Sequence, residues 1–168
     1  ILQPEKIEEV SFQEKLKSFG ADLFVVAAYG QILPKTILSL PKYGAINIHA
    51  SLLPKYRGSA PIAWAILNGE KKTGITTMLM DEGMDTGDIL LQSEIPIHED
   101  ETTETLHDRL ASLGAQLLSE TLEKMKKGEI HPLPQDHSKA TYAPMLKKED
   151  GQIHWTKGAE EIDRQVRA

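Results

Sequence analysis

From Leu23 to Tyr29 the chain reads LFVVAAY, an unbroken apolar run of strand length. Such a run marks a strand covered on both faces, as in sheets that carry helices on either side. Its neighbours agree. Before it, Ile7, Val10, Phe12, Leu16 and Phe19 recur at rough helical spacing, with Pro4 suited to a first turn and Gly20 to a stop. After it come a loop at Gly30 to Leu33, a short helix at Pro34 to Leu40 and a strand at Gly44 to His49. A helix at Pro61 to Leu67 and strands at Gly74 to Met80 and Ile89 to Ile97 follow. The longest helix is predicted from about Thr103 to Lys127. Leu106, Leu110, Leu113, Leu117, Leu118, Leu122 and Met125 form its apolar stripe, and Lys124, Lys126 and Lys127 sit at the negative end of its dipole before Gly128. This alternation predicts an α/β fold of Rossmann type with a mostly parallel sheet. At 168 residues the chain can bury a core for it.

Gly44 to His49 departs from the all-apolar rule. Asn47 and His49 project from one side of that strand while Ile46 and Ile48 project from the other. Buried amides and imidazoles are costly unless hydrogen-bonded or placed at a strand's end. Here the polar pair comes at the end, and Pro54, Gly58 and Pro61 then break regular structure at the carboxyl edge, where open α/β sheets bind ligands. Taken alone, the two residues read as satisfied structural groups at a strand end. DEGMDTGD, Asp81 to Asp88, reads alone as a solvated acidic turn. A calcium loop is excluded, because Gly83 and Thr86 stand where it needs an oxygen ligand and a glycine.

Nineteen basic against 25 acidic residues give a formal charge of −6, the wrong sign for a broad phosphate-binding surface. The absence of cysteine excludes disulfides and thiolate chemistry. No apolar run approaches the length of a membrane span, and ILQPEKIEEV lacks the pattern of a signal peptide, so a cytoplasmic chain is expected.

AINIHASLLPKYRGSAPI, Ala45 to Ile62, together with MDEGMDTGD, Met80 to Asp88, resembles the folate-dependent formyltransferases, and within them those acting on methionyl-tRNA. The likeness runs from VVAAYGQILPK to the end of the chain. It implies a Rossmann-like formyltransferase fold, truncated here at both ends. Residues 1–134 would be a catalytic domain lacking its front strands. Residues 135–168 would lead toward an absent C-terminal β-barrel, through a hairpin at Thr141 to Trp155 and a helix at Gly158 to Ala168. The Pro-rich stretch His131 to Ala140 is expected to leave the sheet. By resemblance Asn47, His49 and Asp85, the last 38 residues beyond the first, are the catalytic positions. Reduced folate would sit against Ser51, Leu52, Leu53 and Pro54, helped by Tyr29, Gln31, Ile32, Leu33 and Asp81. The formyl donor would be 10-formyltetrahydrofolate and the acceptor the amino group of methionyl initiator tRNA, gripped largely by segments not in this chain. No metal, membrane or protein partner is implied.

Moving a formyl group between nitrogens requires attack on a carbonyl, a tetrahedral oxyanion, loss of the amine's proton and protonation of the leaving nitrogen. Asn47 can donate to the oxyanion and His49 can donate or relay a proton. Asp85 can accept from His49 and fix its tautomer. SLLP is apolar and suits the wall of a flat heterocycle, with main-chain groups supplying polar contacts. Arg57 can meet an anionic substrate group or serve as an ion-pair partner.

Several rivals share these residues. A serine hydrolase of Ser51, His49 and Asp85 lacks a GxSxG elbow, and a zinc enzyme lacks HExxH spacing among six histidines. Formyltransferases acting on a sugar-nucleotide amine or on glycinamide ribonucleotide, and the formyltetrahydrofolate hydrolase, fit the same site. A binding module without turnover is a further alternative. An isolated piece lacking sheet strands would expose apolar edges and show weak activity or none.

Overall fold

A computed structural model describes residues 1–168. Four strands form one sheet in the order β1 (Phe24–Val26), β2 (Ala45–His49), β3 (Lys72–Leu79), β4 (Ile89–Pro96). Five helices accompany them: α1 (Val10–Ser18), α2 (Lys35–Leu38), α3 (Pro61–Leu67), α4 (Thr103–Lys127) and α5 (Ala159–Arg167). The α/β expectation holds, and the sheet is mixed. β1 and β2 are parallel, with α2 between them in the chain, whereas β2 with β3 and β3 with β4 are antiparallel. Parallel pairing is confined to β1 and β2, and the acidic turn between β3 and β4 suits their antiparallel return.

The capping chemistry of α4 explains its sharp ends. Thr102 accepts from the N–H of Thr105 while the Thr105 hydroxyl accepts from the N–H of Thr102, and Gly128 closes the helix at φ 70°. Leu106, Leu110 and Leu117 of α4 pack with Ile66 of α3 and Ile75 of β3 in the larger core cluster. Burying leucines of this kind contributes about 1.5–3 kcal/mol each before the entropy of ordering them is counted. A second cluster joins Ile7, Leu33, Ile37, Leu38 and Ala45, with Phe12, Leu16, Phe24 and Val26 around it.

Three elements differ from the sequence reading. The first helix begins at Val10, not at Pro4, and Ile7 reaches the core from the preceding turn. The LFVVAAY run supplies only three strand residues, and it is not covered on both faces. Phe24 and Val26 face the second cluster, but β1 is an edge strand whose Val25 is 45% exposed; Ala28 then turns the chain at φ 47°. The largest difference follows α4. His131 to Ala140 does not leave the sheet, and Thr141 to Trp155 forms no hairpin. Leu133 exchanges two backbone hydrogen bonds with Ile89, and Thr141 to Ala143 runs alongside Pro54 to Ala60. That return accounts for α5 as well, which comes back against α3.

Candidate active site

Asn47 and His49 share one side of β2, and the acidic turn after β3 brings Asp85 to meet them. The path of the turn decides this. Asn47 pairs with Met78 and His49 with Thr76, so β3 ends beside the start of β2, where the Met80 N–H donates to the Ala45 carbonyl, and the acidic turn must fold back to bring Asp85 to the polar pair. Asp85 lies at φ 53°, a left-handed conformation that a short polar side chain tolerates. Its carboxylate is anchored by the Gly58 N–H, which donates to Oδ2 at 2.8 Å. Asn47 Nδ2 approaches Oδ1 at 3.4 Å, and His49 Nδ1 stands 3.6 Å from Oδ2.

The histidine's tautomer follows from its other contact. His49 Nε2 lies 2.8 Å from the carbonyl oxygen of Tyr56, which can only accept, so Nε2 carries the proton. Nδ1 is then the exchangeable nitrogen, and it faces a carboxylate. With His49 buried, a proton arriving at Nδ1 meets Asp85 Oδ2 as its natural counter-charge. The 3.4 and 3.6 Å separations exceed those of good hydrogen bonds, so neither Asn47 nor Nδ1 is spent on Asp85.

The SLLP residues are held firmly and contribute less side-chain chemistry than expected. Ser51 is fully buried and its hydroxyl donates to the Lys55 carbonyl at 2.6 Å. A serine nucleophile is thereby excluded. The four carbonyls of Ser51, Leu52, Leu53 and Pro54 accept from Thr76 Oγ1, Lys55 N, Gln92 Nε2 and Thr141 N, so each has already used one lone pair within the protein. Leu33 is in the core, whereas Tyr29, Gln31 and Ile32 stand exposed at the carboxyl end of β1, next to Asn47 through its pairing with Val26. Asp81 caps its own turn, accepting from Gly83 N at 3.0 Å and Thr86 Oγ1 at 2.6 Å.

Sequence reasoning missed three contributors, the Gly58 N–H, the Tyr56 carbonyl and Gln135, and gave Arg57 another role. The Gly58 N–H and the Tyr56 carbonyl are backbone groups that no side-chain pattern could reveal. Arg57 is neither an ion-pair partner nor exposed to an anion; it is 2% exposed and bonded to Gln135 and His137. Gln135 itself gave no signal beyond one polar residue in a Pro-rich stretch.

Gly58 is required by its surroundings. It lies at φ 116°, and a Cβ there would stand 2.8 Å from the Ala143 carbonyl oxygen, which accepts from Ala60. Gly58→Ala should cost on the order of 1–3 kcal/mol in backbone strain. It should also shift the N–H that anchors Asp85. A denaturation midpoint equal to that of the parent would show that the segment adapts freely.

Tyr56 ties the site to a neighbouring network. Burial pushes its hydroxyl from the ordinary 10 up to about 12, against the opposing hydrogen bond from Asn68 and with the help of Glu70, to which it donates at 2.8 Å. For Glu70, burial acts upward, but hydrogen bonds from Lys55 and Tyr56 prevail and hold its carboxyl below the ordinary value. The raised tyrosine gives stability that is present below pH 10 and is lost as pH rises from 10 to about 12, because only the unfolded chain releases that proton in this window. Tyr56→Phe should flatten that part of the stability profile. An unchanged alkaline slope in the variant would remove Tyr56 from the account.

Comparison with known proteins places the chain in a family. A family model described as formyl transferase matches residues 2–122. The chain belongs to that family. Within the formyl transferases it is 54% identical over 167 residues to a methionyl-tRNA formyltransferase of Citrifermentans bemidjiense, covering 99% of this chain and 52% of the relative. It is 57% identical over 168 residues to the enzyme of the same name from Caldanaerobacter subterraneus, covering 99% and 54%. The chain thus spans about half the length of the curated relatives it matches. Solved formyltransferases share the fold. A sugar N-formyltransferase from Shewanella superposes with a TM-score of 0.81 at 25% identity over 96% of this chain and 65% of that one. An N-formyltransferase from Helicobacter canadensis, solved with folinic acid and dTDP-3-aminofucose, gives 0.72 at 27% identity over 82% and 51%. No helix of the chain is long and apolar enough to cross a membrane.

Proposed function

We propose that this chain carries the catalytic centre of an enzyme transferring the formyl group of 10-formyltetrahydrofolate to the amino group of methionyl initiator tRNA. The observation that carries the reading is the meeting of Asn47, His49 and Asp85 at the end of β2, in a chain 54–57% identical to methionyl-tRNA formyltransferases. Asn47 Nδ2 donates to the oxygen of the formyl group as the amine attacks and negative charge develops there. His49 Nδ1 takes the proton that the attacking nitrogen must lose, and Asp85 stabilises the imidazolium so formed. The same proton then passes from Nδ1 to the departing folate nitrogen as its bond to the formyl carbon breaks. The new C–N bond, the broken one and the proton balance without any other reactant. Asp85 itself exchanges no proton in this sequence.

Reduced folate is proposed to lie between the Tyr29, Gln31 and Ile32 loop and the Ser51 to Pro54 segment. Asp81 and Leu33 shape the backbone there and offer the ligand no side chain. The rigid SLLP backbone suits a wall for a flat ring, each carbonyl having one lone pair left. The charge of −6 supports a reading in which most of the grip on tRNA phosphates comes from segments outside these residues, in an enzyme proposed to work in the cytoplasm.

The nearest alternative acceptor is a sugar-nucleotide amine, favoured by the fold likeness to enzymes of that kind at 25–27% identity. Identity about twice as high supports tRNA. The acceptor is tested in a protein that carries this segment at its relatives' full length, offering methionyl initiator tRNA, a sugar-nucleotide amine and glycinamide ribonucleotide side by side with 10-formyltetrahydrofolate. Formylation of the tRNA alone is expected. Preference for either small amine would overturn the assignment, and tetrahydrofolate release without a formylated amine would indicate a hydrolase.

A further inference from the structure

We infer that Gln135 is a positioning residue for formyl transfer, holding the Asp85 turn in its working conformation under the charge of Arg57. The inference rests on the reading of Asp85 as catalytic. Gln135 is buried, and every hydrogen-bonding site of its carboxamide is occupied. Oε1 accepts from Arg57 Nε at 3.1 Å and Nη2 at 2.6 Å, while Nε2 donates to the carbonyls of Asp85 at 2.9 Å and Gly87 at 2.7 Å. Those carbonyls flank Thr86 and so fix the backbone on either side of it. That backbone is not self-supporting. Asp85 lies at φ 53°, and a Cβ at Gly87 would collide with the Leu79 carbonyl, so the turn is pressed against the end of β3.

The guanidinium of Arg57 explains why a neutral amide suffices. Arg57 is buried and forms no ion pair; its charge falls on Gln135 Oε1 and on His137 Nδ1 at 3.1 Å. A cation on the carbonyl side of an amide polarises it and strengthens its N–H donors, as in any chain of hydrogen bonds at low dielectric. Arg57 also precedes Gly58, whose N–H anchors the Asp85 carboxylate. One stretch of chain therefore holds Asp85 twice, at its side chain through Gly58 and at its backbone through Arg57 and Gln135.

The test is a double-mutant cycle in the full-length protein, with kcat measured at saturating tRNA and folate. Gln135→Glu keeps acceptors for Arg57 and removes both donors to the turn. It should lower kcat by about 10- to 100-fold, as expected when a reacting group is misplaced by a fraction of an ångström to one ångström. Folate affinity should stay within about twofold. In an Asp85→Asn background the same change should cost less than about threefold, because the group it positions is already disabled. Gln135→Met, which removes the hydrogen bonds at similar length, repeats the cycle if the glutamate variant does not fold. A wild-type kcat for Gln135→Glu, or equal losses in both backgrounds, would reduce Gln135 to packing and overturn the inference. If Asp85→Asn alone has the parent's rate, the reading of Asp85 fails and this inference falls with it; if it is slow while the losses multiply, only the inference fails.

Discussion

His49→Ala is expected to lower kcat for formyl transfer by about 100- to 10,000-fold, the range for removing a positioned general acid–base. The ring is held by the Tyr56 carbonyl through Nε2, so the lost function is that of Nδ1, the nitrogen facing Asp85. Folate binding should change little, because the ring is buried and its contacts are within the protein. The loss should therefore fall on kcat and leave KM for the folate near the parent's value, as for an interaction made chiefly in the transition state. Stability is a separate matter: the cavity left beneath Tyr56 should lower the denaturation midpoint. Steady-state kinetics with both substrates separate these effects. A variant with the parent's kcat would remove His49 from the proton path.

Asn47→Ala is expected to cost about 100- to 1,000-fold in kcat, the usual consequence of deleting one oxyanion donor. In the resting site its amide lies 3.4 Å from Asp85 Oδ1, too far to be a strong bond, so the donor is oriented without being consumed. Asn47→Asp is the sharper probe. It preserves size but turns a donor into an acceptor beside Asp85, and should be at least as slow as the alanine variant. Parity of the aspartate variant with the parent would show that Asn47 does not face the developing charge.

Much of this arrangement was legible in the letters. Thr103 to Lys127 declared itself through a leucine stripe ended by lysines and Gly128, and β2 through a polar pair at the end of an apolar strand. That Asp85 would meet the pair followed only from the family resemblance of the two segments, and the structure brings the three side chains together. LFVVAAY misled, since an apolar run reports what could be covered and not what is; Val25 is 45% exposed. The return of Thr141 to Ala143 along Arg57 was not legible at all. It joins residues 85 apart through backbone N–H and C=O groups, to which side-chain identity is indifferent. Gln135 and the actual partners of Arg57 were hidden for the same reason, because those contacts exist only after that return has closed over them.

The account is tested most directly by single-turnover transfer of labelled formyl from bound 10-formyltetrahydrofolate to methionyl initiator tRNA, comparing the full-length parent with Asp85→Asn. The parent should formylate the tRNA, and the variant should bind folate equally well but react at least about 100-fold more slowly, having lost the counter-charge for the His49 imidazolium. Equal rates for the two proteins would contradict the central claim, and the catalytic centre would have to be sought away from the meeting of Asn47, His49 and Asp85.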